Sequence, residues 1–336
     1  MQRYDSTDMI SVILPVYNGA RTFSRAVESV LGQTFRELEI LVIDDGSSDG
    51  TAELCDRYAE ADARVRVFHQ ENSGVSMARN KGLSAARGTL IAWIDADDYM
   101  EPEMLARLYH ALRKEEADLA VCGYITEETG GKKSGCGVTD AVMDRSCFCR
   151  ELILDERIHS YLWDKLFRRE LFDGVFFPKD RKYEDQTVLT DIALKIRKAV
   201  CISYAGYHYT ATPGSTVHTA SLKNALDYYL AVKTNRESME RFLPELSECA
   251  AMRQLRSIVP LYCCAGYLKN GREDFVRSGV SEEIDTFVRA NYSLVRSCSS
   301  IGFLGRLILL TIRLSGSGNP CRLLSVLYYR RHDPEL

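Results

Sequence analysis

The sequence has no CxxC pair, no long uncharged apolar run and no surplus of basic charge. Each absence removes a class of function. The cysteines number 11 and are scattered, in a chain whose first residues, MQRYDSTDM, lack the apolar core of a secretion signal. They read as reduced, cytosolic thiols and not as a disulfide framework. CFC at Cys147 to Cys149 and the pair Cys263–Cys264 are too tight for a zinc site alone, and free cysteine commonly packs as a small hydrophobe. No run reaches the roughly eighteen apolar residues that an ordinary transmembrane helix needs. Lys and Arg total 43 against 47 acids, a net charge of −4. That excludes the strong positive field of a general nucleic-acid binder, so no nucleic-acid partner is expected. A Gly-rich P-loop is missing, and no GxGxxG follows the first strand, which argues against a dinucleotide site.

What is present fits an ordinary soluble globular chain. Apolar residues make up 46% of the 336 positions and charged residues 27%, enough for one large domain or a core plus an appendage. The first 125 residues alternate two periods. ISVILPV (10–16), LEILVID (38–44), RVRVFH (64–69), LIAWID (90–95) and DLAVCGY (118–124) are apolar runs suited to buried strands. Between them lie helical patterns. Ser48 or Asp49 is placed to cap the second helix, Gly88 to close the third and Pro102 to open the fourth. Alternation of this kind implies right-handed crossovers and a mostly parallel sheet. Residues 129–137 read as an exposed loop, 163–172 as irregular, and 181–196 as a helix with Val188, Ile192 and Ile196 on one face. Residues 221–293 carry only helical patterning.

In a parallel α/β sheet, ligands bind beyond the carboxyl ends of the strands. Acid clusters stand at or near such ends: Asp44–Asp45, Asp95 with Asp97 and Asp98, and Glu184–Asp185 further on. Turn chemistry and capping explain one such cluster, but two at the same sheet edge point to function. Carboxylates one residue apart suit a hard divalent cation, Mn²⁺ or Mg²⁺, which also binds diphosphate oxygens.

LPVYNGARTFSRAVESVLGQTF, ILVIDDGSSDGT, HQENSGVSMARNKGL, the DADD cluster, WDKLFRRELF and YEDQ follow in this order over about residues 8–215. Together they resemble an inverting family-2 glycosyltransferase of the GT-A fold, of the bacterial polysaccharide-assembly kind. The resemblance implies an α/β nucleotide-diphospho-sugar transferase domain over 1–218, with a mostly parallel sheet flanked by helices. An all-helical extension over 219–298 and a basic amphipathic segment over 299–336 follow it.

It also implies roles. Pro15, Val16, Tyr17 and Asn18 end the first strand at the nucleoside, where Tyr17 offers a ring for stacking on the base. Asp45 accepts from the uracil edge, so a UDP-sugar donor is favoured, and Asp44 is read as structural. Arg79 of SMARN lies near base or phosphate. Asp95 lies near the ribose and Asp97 on the metal. Asp98 extends the run as a further metal candidate, and the register stays open. Asp185 is the base that deprotonates the acceptor hydroxyl, with Glu184 as the alternate. Trp163, Asp164 and Lys165 stand on the acceptor side, with Trp163 as an apolar floor for a sugar ring. In one place the chain departs from its relatives: Thr210 and Thr212 occupy positions where arginines are expected, leaving His208, His218 or Lys223 to compensate.

Residues 300–331 interleave Leu, Ile and Phe with Arg306, Arg313, Arg322, Arg330 and Arg331, the composition of a helix lying in anionic headgroups. The reading is a metal-dependent enzyme that moves a sugar from a nucleotide donor to a glycan or lipid-linked acceptor. It is expected to be cytoplasmic and peripheral on the inner face of the membrane. A non-catalytic sugar-nucleotide-binding relative and a nucleotidyltransferase are the alternatives.

Overall fold

A computed structural model describes residues 8–127, 133–179, 181–211, 221–297 and 300–332. They form two compact units, Met1–Ser215 and Thr216–Leu336.

The first unit is built on one ten-stranded sheet. Its strands are β1 (Ile10–Val16), β2 (Leu38–Asp44), β3 (Val65–His69), β4 (Leu90–Trp93), β5 (Tyr99–Met100), β6 (Leu119–Glu127), β7 (Lys133–Cys136), β8 (Ala141–Asp144), β9 (Lys165–Arg168) and β10 (Lys198–Thr210). The spatial order is β3-β2-β1-β4-β9-β6-β10-β5, with β7 on β6 and β8 on β10. β1 and β2 are buried at every residue, as their unbroken apolar runs require of strands covered on both faces. Helices α1 (Phe23–Leu31), α2 (Thr51–Ala61), α3 (Val75–Ala85) and α4 (Met104–Lys114) connect the parallel strands and pack on the sheet. α5 (Arg145–Leu154) and α6 (Glu184–Ala193) follow. Val188 and Ile192 of α6, with Ile196 beyond it, are fully buried, each side chain contributing about 1.5–3 kcal/mol over exposure.

The sheet is mixed. β3, β2, β1 and β4 run parallel, as do β6 and β10, but β9 lies antiparallel between β4 and β6. WDKLFRRELF is therefore not wholly irregular: four of its residues fill a gap in the sheet's centre. Within the expected 129–137 loop, Lys133–Cys136 pairs with β6, and 129–132 fall outside the described residues. Helix ends also differ from the reading. α4 begins at Met104 after Glu103 and α3 ends at Ala85; at α2 the N-cap position is Gly50, while Asp49, one of the two expected caps, accepts from the Thr51 N–H at 3.1 Å. Gly88 instead lets two backbones close: a Cβ there would sit 2.5 Å from the Met9 carbonyl oxygen.

β1 leads to β2 on one side and sits against β4 on the other, so the strand order reverses there. A crevice outside the carboxyl ends of β1 and β4 is the position where doubly wound sheets bind ligands. Pro15 belongs to this opening. β4 pairs β1 only as far as Ile13, so the proline's missing N–H costs no ladder bond on that side.

The second unit is helical: α7 (Leu222–Phe242), α8 (Ser247–Tyr267), α9 (Gly271–Arg277), α10 (Ser281–Ser297), α11 (Phe303–Ser315) and α12 (Arg322–His332). α8 is its axis. Leu255, Ile258, Leu261 and Tyr262 meet Phe275, Ile284, Val288, Ile308, Leu309 and Ile312 in one core. The inner face of α11 is thus part of this core. The described cysteines are free, and Cys263 and Cys264 are buried in α8. Among the described residues no helix is long and apolar enough to cross a membrane.

Candidate active site

One side of the crevice is a pair of interlocked loops. Tyr17 leaves β1 with 55% of its surface exposed. Asn18 follows in the left-handed region at φ 49°, which asparagine tolerates better than bulkier residues. Its N–H donates to Ser47 Oγ at 2.9 Å, and its Oδ1 accepts from the Ser48 N–H at 2.8 Å. The Gly19 N–H donates to Thr51 Oγ1 at 2.9 Å. Asn18 therefore holds the loop shape, Pro15 and Val16 are buried in the strand, and Tyr17 offers an exposed ring.

Asp44 and Asp45 are both buried. Asp44 Oδ2 meets His69 Nδ1 at 2.8 Å and Oδ1 accepts from the Ser47 N–H at 3.1 Å, a structural use. Asp45 Oδ1 accepts from Gln70 Nε2 at 2.7 Å and the Ser73 N–H at 2.9 Å, and Oδ2 accepts from the Gly74 N–H at 2.8 Å. Asp45 thus pins the loop before α3. A carboxylate has about four acceptor sites, and among the described residues Oδ2 of Asp45 accepts one hydrogen bond.

The acids after β4 are divided by their surroundings. Asp95 and Asp97 are half-buried at the mouth, whereas Asp98 is fully buried. Tyr207 donates its hydroxyl to Asp98 Oδ2 at 2.8 Å, and the Thr210 N–H donates to Oδ1 at 2.7 Å. Burial and the neighbouring Asp95 and Asp97 push Asp98 up to about 8. Asp98 thus ties the acidic loop to β10, and its inward position does not match the metal reading given it from sequence. The Asp95 N–H donates to the same Tyr207 oxygen at 3.1 Å. Burial, with Asp97 and Glu184 nearby, raises the Asp95 carboxyl above its usual range, and Arg79 opposes this.

Arg79 joins two motifs. Its Nη2 lies 3.6 Å from Asp95 Oδ1, and its Nη1 donates to Glu184 Oε1. Glu184 is buried and committed to this pair. Asp185, next in the first turn of α6, is only half-buried, and its carboxylate accepts one described hydrogen bond, 2.8 Å from the Gln186 N–H. Burial and the adjacent Glu184 push Asp185 up to about 7, against the pull of Arg79. Tyr183, just before, sits at φ 62°, a left-handed conformation that costs a bulky residue of order 1–3 kcal/mol and that clusters at functional sites.

The acceptor-side triplet is placed differently from its sequence reading. Trp163 is 6% exposed and lies between Tyr161, centroids 4.6 Å apart, and Tyr207, 4.3 Å away, both nearly parallel. Both of its faces are covered, so it cannot be a sugar floor; Tyr161, the outer ring, is the exposed one. Lys165 is fully buried and spends its three donors on Asp164 Oδ1 (2.6 Å), the Tyr161 carbonyl (2.7 Å) and the His159 carbonyl (2.9 Å). Asp164 and Lys165 thus strap down the loop that carries Tyr161.

His208 is buried between Glu127 and Glu101 and stacks on Tyr99 at 4.1 Å, so it is a packed residue with no diphosphate role. Thr212 and His218 fall outside the described residues, and Lys223 is exposed on the second unit. Sequence reasoning missed Arg25. From α1, its Nη2 donates to the Asp97 carbonyl at 2.6 Å and reaches Thr210 Oγ1 at 2.9 Å. A cation therefore stands against the very residue where arginine was expected. Nothing in the sequence marks it, because Arg25 reads as a solvated position on an amphipathic helix.

The family model for glycosyl transferase family 2 matches residues 11–135. Glycosyltransferase GlyG of Streptococcus pneumoniae is 30% identical over 72% of this chain and 81% of its own length. The chain belongs to glycosyltransferase family 2. Glycosyltransferase EpsJ of Bacillus subtilis is 31% identical over 66% of each chain. The crystal structure of S. aureus TarS 1-349 in complex with UDP-GlcNAc superposes with a TM-score of 0.73 at 20% identity, covering 96% of this chain and 92% of that one. The family's GT-A architecture, a mostly parallel mixed sheet followed by a helical region, is therefore the fold of this glycosyltransferase.

Proposed function

We propose that this glycosyltransferase moves a sugar from a UDP-sugar to a hydroxyl of a glycan or lipid-linked acceptor, with inversion, and with Asp185 as the general base. The observation that carries this reading is the division of labour around Arg79. Glu184 and Asp95 share the guanidinium, while Asp185, beside them, keeps a half-buried carboxylate raised to about 7. A base is most useful when its pKa lies near the working pH. The uridine preference rests on Asp45, whose Oδ2 accepts a single described hydrogen bond, and on the exposed ring of Tyr17; TarS, a neighbour in fold, is in complex with UDP-GlcNAc.

Among the described residues no group of three or more ligating side chains is assembled for a metal. Two carboxylates nevertheless fit Mn²⁺ or Mg²⁺, since such ions commonly take one or two protein acids and complete their shell with diphosphate oxygens and water. Asp97, with Asp95 beside it, would hold the ion, and the bound ion would neutralise the departing diphosphate. A mannosyltransferase of Pyrobaculum calidifontis with this fold, TM-score 0.52, carries GDP-Man and Mn²⁺. A nucleotide-binding relative without transfer activity is the second reading; Thr210 favours it, and Arg25 beside Thr210 answers it. The protein is further read as cytoplasmic and peripheral at the inner membrane face, through residues 299–336.

The test is incubation with Mn²⁺ and a panel of labelled nucleotide sugars, with water as default acceptor. UDP release from at least one UDP-sugar is expected, suppressed by excess EDTA. Release only from GDP-sugars, or undiminished release in EDTA, contradicts the reading. Tyr17→Ala is expected to weaken UDP binding by about 1–3 kcal/mol, the usual value of one base–aromatic stack. Unchanged affinity in a calorimetric titration would return Tyr17 to a surface role.

A further inference from the structure

A stack of aromatic rings is rooted in the acidic loop and ends at solvent. At its inner end the Tyr207 hydroxyl donates to Asp98 Oδ2 at 2.8 Å and accepts from the Asp95 N–H at 3.1 Å. Trp163 lies on Tyr207 with centroids 4.3 Å apart and 15° between planes. Tyr161 lies on Trp163 at 4.6 Å and 11°. Tyr209 of β10 is also parallel to Trp163, at 6.0 Å. Tyr207 and Trp163 are buried, Tyr209 is half-buried, and Tyr161 is 37% exposed.

Tyr161 is fixed in place. Its carbonyl accepts from Lys165 Nζ, as does that of His159. Tyr124 meets its ring edge-on at 5.8 Å and His159 is tilted at 5.4 Å, and among the described residues no second ring lies parallel to it. Neither the Tyr161 nor the Tyr209 hydroxyl has a hydrogen-bond partner among the described residues. Burial, then Asp155, Tyr209 and Asp185, push the Tyr161 hydroxyl up to about 12. Burial, then Asp98, Asp97 and Asp95, raise that of Tyr209. Both therefore stay protonated: they donate hydrogen bonds and do not compete with Asp185 for a proton.

An exposed aromatic face in the field of the base has a chemical complement. A pyranose carries C–H groups on one face, apolar and weakly positive, and hydroxyls around its edge. The negative face of a phenol ring accepts the first. The largest charges acting on Tyr161, those of Asp155, Asp185 and Asp164, are acids, so an anionic group seated there would meet like charge. A polyol phosphate is thus disfavoured, and it offers no flat C–H face.

We propose that Tyr161 seats the terminal pyranose of a glycan acceptor, its C–H face on the exposed ring and its nucleophilic hydroxyl turned to Asp185. The proposal rests on the reading of Asp185 as the base, and it narrows the acceptor to one that ends in a sugar, lipid-linked or not.

The experiment measures transfer from the UDP-sugar that the donor panel selects. The acceptors are the methyl β-glycosides of glucose, galactose and N-acetylglucosamine, with glycerol 3-phosphate as the non-sugar. Saturation-transfer NMR of the same glycosides with UDP present reads contact without turnover. Transfer to at least one glycoside and not to glycerol 3-phosphate is expected, with saturation of its ring C–H protons. Tyr161→Ala should raise the glycoside KM by about tenfold, the scale of one aromatic contact, and abolish the saturation, with kcat changed much less and UDP affinity by calorimetry unchanged. Tyr161→Phe keeps the ring and should restore most of the KM. Tyr204→Ala, a β10 tyrosine whose ring lies against Arg107, should match the wild type. An unchanged glycoside KM in Tyr161→Ala, an equal rise in Tyr161→Phe, or preference for glycerol 3-phosphate overturns the seat. Loss of UDP affinity in Tyr161→Ala also overturns it, by making the ring a structural one. An active Asp185→Asn beside a raised KM in Tyr161→Ala overturns the base and leaves the ring seat standing. No UDP release from any donor, with saturation intact, overturns the transferase reading alone; absence of both overturns the two together.

Discussion

Asp185→Asn is expected to lower sugar transfer by roughly 10²–10⁴-fold, the usual span for losing a general base. The change keeps shape and removes proton affinity. On the proposed reading donor affinity rests on Tyr17, Asp45 and Asp97 and should persist, so kcat and kcat/KM should fall together. In the wild type, Asp185 titrates at about 7, and only its ionised form accepts a proton. Activity should therefore rise with pH, reach a plateau above about 7, and fall as the carboxyl protonates below it. The stability effect has the opposite sign. The folded-state value lies above the ordinary 3.8, so ionising Asp185 costs stability as pH rises through that window. Asp185→Asn should melt at or above the wild-type temperature at pH 8, which separates lost chemistry from lost fold. Glu184→Gln is the paired variant. An active Asp185→Asn with a dead Glu184→Gln would move the base by one residue, and two active variants would remove the pair from the mechanism.

Arg79→Met should destabilise the protein by about 3–5 kcal/mol, the cost of breaking a buried ion pair from one side. Without the guanidinium, Glu184 and Asp95 face each other uncompensated, with Asp185 adjacent. The loss should shrink as pH is lowered and Asp95 and Asp185, both held above the usual carboxylate range, protonate, because fewer buried charges then lack a partner. Arg79→Lys restores charge but not the fork that spans two carboxylates, and should recover part of the stability. Urea unfolding at pH 8 and pH 4.5 reads both points. An Arg79→Met midpoint equal to wild type at pH 8 would mean that Arg79 does not hold the two motifs together.

The strands on either side of the crevice, β1 and β4, were legible because each is a continuous apolar run, the pattern of a strand covered on both faces. β9 was not, since four residues between helix-like stretches carry no period of their own. β10 was obscured by register shifts between Cys201 and Tyr207 that break its alternation. The acids themselves stood out by position and spacing. Their separate duties did not, because these depend on partners far along the chain. Glu184 is told from Asp185 by an arginine 105 positions away, and Asp98 from Asp97 by Tyr207, 109 positions from Asp98. Trp163 was misassigned for the same reason: sequence shows an aromatic beside a charge pair but not the two rings that cover its faces.

A calorimetric titration of UDP and GDP into the wild type, with and without Mn²⁺, tests the central claim most directly. The account predicts saturable UDP binding that exceeds GDP binding, strengthens with Mn²⁺, and loses that metal dependence in Asp97→Ala while surviving Asp185→Asn. Equal affinity for the two nucleotides, or UDP binding indifferent to both Mn²⁺ and Asp97, would contradict it.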